Sequence, residues 1–202
     1  MRMIRNASIA LLLGFLFAAG ALAQAPSRAR PRTGAPEASA DGASVDAIVK
    51  GLYESVSHGP DGEPNWKRMR DIFLPVGMLI PPKRASEDIF TVLDVDAYEE
   101  RTKKWMTTAK AKGESTAFFE TEVARKTDCF GNVCQVFSTY ASRHSPGDEK
   151  PFMRGINSIQ LVKDGSRWWV ASVVWDSERP DNPIPPQYDA GAGVPDEYKK
   201  KN

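Results

Sequence analysis

The sequence predicts an α+β domain, in which three helices precede a set of long antiparallel strands. Apolar residues recur at helical spacing in the first half of the chain of 202 residues. In the second half, the turn dipeptides at 131–132 and 164–165 separate long strand-like runs into two hairpins. The segment 45–188 is dense in Trp, Phe, Val and Ile, and its length suits a single domain.

The helices are placed by their apolar spacing and by their end signals. We expect a first helix over 46–58, stopped by a Gly-Pro pair, and a second short helix that begins near Trp66 and ends before Pro75. Asp94 is a suitable N-cap for a third helix that runs to Gly113. Short strands over 78–80 and 89–93 are expected between the second and third helices.

The first 23 residues are typical of a cleavable secretory signal peptide. Two arginines precede an apolar run over 9–17, and small residues lead to a cleavage site between Ala23 and Gln24. The apolar run is shorter than the roughly 20 residues of a membrane-spanning helix, so no stable membrane anchor is expected. We therefore predict a periplasmic or secreted protein with a flexible linker over 24–44 and a disordered tail over 189–202.

Charge and motifs narrow the function classes. The chain has 27 basic and 26 acidic residues, and loss of Arg2 and Arg5 with the signal peptide makes the remainder slightly acidic. A nucleic-acid partner is therefore not expected. The sequence has no Gly-rich phosphate loop, no metal-ligand spacing and no nucleophile motif, so neither a metal nor a cofactor is expected.

Cys129 and Cys134 flank the turn at 131–132. A two-residue turn places them opposite each other in adjacent strands, and a close, even pair in an exported protein favours a disulfide. A metal site is the alternative, but His58 and His144 are both distant in sequence.

Strand pairing with period two predicts which residues share a face of the sheet. In the first hairpin, this pairing places Glu120 opposite Arg143 and Glu122 near Ala141, on a face that we expect to be solvated. A catalytic role for the two glutamates is therefore an unfavoured hypothesis. The opposite face carries Tyr140 among apolar residues.

In the second hairpin, the same rule places Asn157 opposite Ser172 on an apolar face and Arg154 beside Trp175 on the reverse face. The reverse face also carries Trp169 and Val173, so both faces of the last strand are apolar. We expect a homodimer partner, or the chain's own Pro-rich segment, to cover the face with Trp169, Val173 and Trp175.

Three segments of the predicted hairpins, at 130–143, 154–161 and 164–170, resemble a bacterial group within the nuclear transport factor 2-like (NTF2-like, SnoaL-like or ketosteroid isomerase-like) superfamily. The resemblance implies a cystatin-like cone, in which a curved antiparallel sheet wraps around the three helices and can enclose a small apolar molecule. Members of the superfamily include isomerases, cyclases, dehydratases and hydrolases. Such enzymes typically carry an acid or a His after the second helix, whereas residues 73–82 of this chain contain neither.

Candidate site residues are polar or aromatic groups expected on apolar faces, because pockets use a few such groups to orient a ligand. As ligand-binding candidates we take Tyr53, Trp66, Trp105, Ser138, Tyr140, Asn157 and Ser172. As weaker catalytic candidates we take His144, Tyr140 and Arg125. The alternative is a filled core in which the polar atoms satisfy one another.

These observations favour an exported domain that binds a small apolar or amphipathic molecule in its cone. A cofactor-independent isomerase, dehydratase or hydrolase is the first alternative, and a protein-interaction module is the second.

Overall fold

In the computed structural model, which describes residues 40–83 and 87–189, three helices pack on a five-stranded sheet, and one strand precedes the third helix. The elements, in chain order, are α1 (Val45–Val56), α2 (Trp66–Ile72), β1 (Phe73–Ile80), α3 (Val95–Ala111), β2 (Phe119–Phe130), β3 (Val133–Arg143), β4 (Met153–Lys163) and β5 (Trp168–Ser177). The strand order is β1-β5-β4-β3-β2. Strands β2 to β5 pair antiparallel, and β1 lies parallel to β5. The predicted α+β class, three helices on a curved and mainly antiparallel sheet, is confirmed.

Each helix begins at a residue whose side chain caps it. Ser44 Oγ accepts the Ala47 amide at 3.0 Å before α1, and Asp94 Oδ1 accepts the Ala97 amide at 2.8 Å before α3, as predicted. Asn65 caps α2 in the same way. The predicted helices therefore match the structure to within a few residues at their ends.

The region between α2 and α3 differs from the prediction. Strand β1 begins at Phe73, directly after α2, and is longer than the expected 78–80. The segment 89–93 is not a strand, because Leu93 forms only an isolated bridge with Leu79.

The first hairpin turns as predicted. Gly131 has φ +56°, a conformation that glycine adopts without steric cost, and the two-residue turn pairs Cys129 with Cys134. Their Cα atoms are 4.2 Å apart and the disulfide is formed.

Two β-bulges change which residues face the helices. In β2, Ala124 pairs with Thr139 but Glu122 pairs with Tyr140, so Val123 is an extra residue. In β5, Val170 pairs with Leu161 but Ser172 pairs with Gln160, so Ala171 is extra. Each bulge reverses the inward and outward alternation beyond it and bends its strand, which helps the sheet to curve.

The second hairpin differs from the prediction in its register. Its turn spans 164–167, because Lys163 pairs with Trp168, and the bulge in β5 adds one further residue. Asn157 therefore lies opposite Trp175, and neither the Asn157–Ser172 pair nor the Arg154–Trp175 pair forms. Ser172 is moved to the outer face with Gln160, whereas Val173 and Trp175 are moved to the concave face.

Trp169 precedes the bulge and stays on the outer face, where the Arg167 guanidinium lies 4.0 Å from its ring centre. The three residues expected at a dimer surface, Trp169, Val173 and Trp175, therefore do not share one face. Dimerisation itself stays a prediction.

The core lies between the helices and the concave face of the sheet. It is formed by apolar side chains of every helix and strand except β2, among them Ile48, Val49, Met69, Ile72, Phe73, Val136, Ile159, Leu161 and Val170.

The fold begins earlier than the predicted linker boundary allows. A short 3-10 turn covers Ala40–Gly42, and the Asp41 carboxylate accepts two hydrogen bonds from the Arg68 guanidinium, at 2.8 and 2.7 Å. The predicted signal peptide, the rest of the linker and the tail beyond Asp189 lie outside the described residues. Within the described residues, no helix is both long enough and apolar enough to cross a membrane.

Candidate active site

A cavity of about 350 Å³ lies between the helices and the concave face of the sheet. Its apolar walls come from α1, α3, β1, β4, β5 and the loops near them, and they include Leu52, Val56, Leu79, Trp105, Phe118, Phe152, Met153, Val173 and Trp175. A few polar side chains interrupt these walls, namely His58, Tyr98, Arg101, Thr102, Glu120, Tyr140, His144 and Asn157. An apolar enclosure with sparse polar groups is the usual form of a small-molecule site.

Glu120 is the only carboxylate among the described residues that line the cavity. The bulge at Val123 turns its side chain inward, contrary to the solvated position predicted from an unbroken strand. Ser142 Oγ donates to one carboxylate oxygen at 3.1 Å, and Asn157 Nδ2 donates to the other at 3.4 Å. Burial raises the pKa of Glu120 to about 7, and these two hydrogen bonds only partly oppose the rise.

Two tyrosines face the same space. Burial raises the pKa of Tyr98 and of Tyr140 to about 12, so both phenols keep their protons near neutral pH. Tyr140 reaches Ser177 Oγ at 3.0 Å and lies against Gly155, where a Cβ atom would be 2.5 Å from the phenol oxygen. Gly155 therefore provides the room for this ring.

Glu122 is buried behind the cavity wall, with 3% of its surface exposed. Arg125 donates to its two carboxylate oxygens at 2.8 and 2.6 Å and also binds Asp46 on α1. The guanidinium thus pairs with both oxygens of the Glu122 carboxyl group.

A chain of hydrogen bonds runs from Glu122 to Glu120, and its direction can be assigned. Glu122 can only accept, so the Ser138 hydroxyl proton is donated to it. Ser138 Oγ must then accept from the Tyr53 hydroxyl, 2.6 Å away, and the Tyr53 oxygen accepts from Asn157 Nδ2 at 3.2 Å. The Asn157 amide is thereby oriented with its N–H groups toward Tyr53 and Glu120.

Two histidines, His58 and His144, also line the cavity, and each has one ring nitrogen engaged. His144 Nδ1 is 3.1 Å from the Ala117 carbonyl oxygen, and its ring stacks on Phe152 with centroids 4.2 Å apart. His58 Nδ1 is 3.0 Å from the Gly59 carbonyl oxygen. Each Nδ1 therefore donates to a backbone carbonyl.

The structure brings together some of the predicted site residues but not all. Trp105, Tyr140, His144 and Asn157 line the cavity. Tyr53 and Ser138 lie behind its wall, in the hydrogen-bond chain. The others are displaced in three ways: Trp66 packs edge-on against Tyr98, Arg125 binds Glu122 and Asp46, and Ser172 faces outward.

Sequence reasoning missed Glu120, Tyr98 and Arg101 as site residues. Tyr98 packs against the core from α3, and Arg101 lies three residues later on the same helix face. Glu120 was identified as an acid on a strand, but the bulge that turns it inward has no residue signal such as a glycine. Within 40–83 and 87–189, no three His, Cys, Asp or Glu side chains are grouped so as to hold a metal ion.

Comparison with solved structures gives distant similarities. An NTF2-like protein of unknown function from Silicibacter pomeroyi is 13% identical, with a TM-score of 0.41 over 65% of this chain and 91% of that chain. A putative scytalone dehydratase from Novosphingobium aromaticivorans is 13% identical, with a TM-score of 0.42 over 65% and 82%. The beta subunit of a benzoate 1,2-dioxygenase from Burkholderia mallei is 13% identical, with a TM-score of 0.45 over 72% and 97%.

The three helices and the mainly antiparallel sheet agree with the architecture that the sequence resemblance implies. No family model and no curated protein matches the sequence. The chemistry therefore has to be argued from the side chains.

The raised pKa of Glu120 predicts a pH dependence of stability. Its ordinary value is 4.5 and its value in the folded protein is about 7. The contribution of this side chain to the free energy of unfolding is therefore largest below pH 4.5, falls as the pH rises toward 7, and is constant above that. We expect urea unfolding between pH 4 and 8 to show this fall in the difference between the wild type and E120Q, which cannot ionise. Parallel pH profiles of the two proteins would contradict the assignment.

The hydrogen-bond chain makes Ser138 a sensitive position. Ser138→Ala removes the donor to Glu122 and the acceptor for Tyr53, and leaving such buried groups unpaired costs about 1–3 kcal/mol. Ser158→Ala is the matched control, because Ser158 is half-buried on the outer face of β4. Urea titration should show a clear loss of stability for S138A and a change within about 0.5 kcal/mol for S158A. Equal stability of the two variants would contradict the assigned chain of hydrogen bonds.

Proposed function

We propose that this protein is a cofactor-independent acid–base catalyst of the isomerase type, acting on a small apolar or amphipathic molecule held in the cavity. The observation that supports the proposal is the carboxyl group of Glu120, enclosed by apolar walls and with a pKa of about 7. A general acid or base works best when its pKa is close to the working pH, because both protonation states are then available.

The environment of Glu120 favours proton transfer over a fixed ion pair. Within the described part of the chain, the side chains that donate to the Glu120 carboxyl group are the neutral Ser142 and Asn157, whereas Glu122 is bound by a cation. Its charge is therefore not held by a permanent counter-ion, and it can gain and lose a proton during a reaction.

The proposed step is a proton transfer at carbon. The ionised Glu120 removes a proton from a C–H group next to a carbonyl, and the electron pair of that bond moves onto the carbonyl oxygen to give an enolate. The protonated Glu120 then returns the proton to a carbon of the same molecule, so the reaction needs no further reactant. Tyr98 and Tyr140, which keep their protons, are the neutral donors that line the cavity near the developing oxyanion.

Binding without chemistry is the second candidate function. It is favoured by the two hydrogen bonds that already engage both oxygens of Glu120 and by the predominantly apolar cavity wall. The two candidates share the cavity and differ in whether Glu120 exchanges protons with the bound molecule.

A model ketone distinguishes catalysis from binding without chemistry. We expect the protein to accelerate the exchange of deuterium from D₂O into 2-tetralone, followed by proton NMR, with a rate that rises with pH around a midpoint of about 7. Glu120→Gln should remove the acceleration, by roughly a hundredfold or more. Glu114→Gln is the control, since Glu114 is an exposed carboxylate outside the cavity.

Displacement of the fluorescent apolar dye N-phenyl-1-naphthylamine reports binding in the same samples. Displacement by 2-tetralone with no exchange above the buffer rate would reject catalysis and leave the binding function. Failure of the dye to bind would reject both.

We also propose that the mature protein is exported. The disulfide between Cys129 and Cys134 supports this, because disulfides persist in oxidising compartments. N-terminal sequencing of the protein purified from a bacterial host should begin at Gln24. Recovery of the chain with its apolar N-terminal run intact would contradict cleavage.

A further inference from the structure

One cation lines the cavity from the side of α3. Tyr98, Arg101, Thr102 and Trp105 follow one another at spacings of three and four residues, which places them on one helix face, and all four line the cavity. Arg101 is half-buried and Trp105 is 49% exposed, so this part of the wall reaches the solvent. The guanidinium is therefore available to a molecule that enters the cavity.

The other arginines of the described residues have protein partners. Arg68, Arg70, Arg125, Arg154 and Arg179 bind carboxylates, Arg143 and Arg167 bind backbone carbonyls, and Arg167 also lies over Trp169.

Arg101 has no hydrogen bond or ion pair with any residue in the described part of the chain. Among the acids that precede it on the same helix, Asp96 and Glu99 both bind Arg70, and Glu100, its neighbour in sequence, is exposed.

Tyr98 connects this cation to Glu120. The pKa of Tyr98, raised chiefly by burial, is raised further by the charge of Glu120 and lowered by the charge of Arg101. Both charged groups therefore lie within electrostatic range of one aromatic ring. The cavity wall carries a carboxyl group and a guanidinium that are not paired with each other.

We propose that the molecule bound in this cavity is a small apolar acid, whose carboxylate is held by Arg101 while its apolar body extends between the aromatic walls toward Glu120. This inference rests on the proposed function, because it assigns the substrate class of the same site.

The orientation of the ligand in the cavity follows from the charge and the shape of the groups at its two ends. A guanidinium offers two parallel N–H donors that match the two oxygens of a carboxylate, and such charge-assisted pairs are stronger than neutral hydrogen bonds. The opposite orientation would bring two carboxylates together at Glu120, where like charges repel. Arg101 thus fixes which end of the ligand reaches the acid–base group.

Two ligands of the same shape but different charge test the proposal. Displacement of N-phenyl-1-naphthylamine by 2-naphthoate and by 2-naphthamide is measured at pH 7.5, since the two compounds share a ring system and differ in the anionic group. We expect the wild type to prefer the naphthoate by roughly tenfold, which corresponds to about 1.4 kcal/mol. Arg101→Gln should abolish that preference and leave the naphthamide affinity unchanged, whereas Arg101→Lys should keep part of it.

Lys104→Gln is the matched control, because Lys104 is an exposed cation of the same helix that does not line the cavity. This variant should retain the preference for the naphthoate. A preference that survives in R101Q, or that falls equally in K104Q, would overturn the assignment of the anion to Arg101. If the dye and the naphthamide bind without any preference for the acid, the acid class is wrong while cavity binding stands. If the dye does not bind to the wild type at all, the proposed function fails with it.

Discussion

The extra residue at Val123 is the constraint on which the site depends. Without it, the alternation of β2 would direct Glu120 and Glu122 to the outer face, where water would solvate both carboxylates. With it, both glutamates point toward the helices, and burying two charges without partners would be strongly unfavourable. The polar groups of the neighbouring strands and of α1 supply those partners. The internal hydrogen-bond chain is therefore a consequence of one inserted residue.

The two buried carboxylates have different partners, and this difference gives them different roles. Glu122 is bound by a guanidinium that cannot lose its charge, so it is a fixed acceptor that orients Ser138, Tyr53 and, through them, Asn157. Among the described residues, the side chains that donate hydrogen bonds to Glu120 are neutral, and its carboxyl group faces a mainly apolar space. The glutamate paired with a guanidinium thus provides the orientation, while Glu120, which has no cation partner among the described residues, titrates near neutral pH.

Much of this architecture follows from local sequence signals, and the site follows only in part. The capping residues Ser44 and Asp94 lie at the starts of α1 and α3, and a tight glycine turn with a cysteine pair marks the first hairpin. The period-two rule placed Asn157 and Tyr140 on the concave face correctly. Counted from the hairpin turns, the rule assigns the wrong face to the residues past Val123 in β2 and past Ala171 in β5. These bulges contain ordinary strand residues, and they depend on the curvature of the whole sheet rather than on any local preference.

The bulges in β2 and β5 act on opposite sides of the cavity. The first brings a carboxyl group inward, and the second brings in Val173 and Trp175, whose side chains form part of the apolar wall. Apolar surroundings disfavour the charged form of a carboxyl group, so the second bulge contributes to the raised pKa that the first makes possible. The curvature of the sheet, the enclosure of the cavity and the raised pKa of Glu120 therefore all depend on the two bulges. Helix α3 then completes the cavity wall with Tyr98, whose phenol is within electrostatic range of both Glu120 and Arg101.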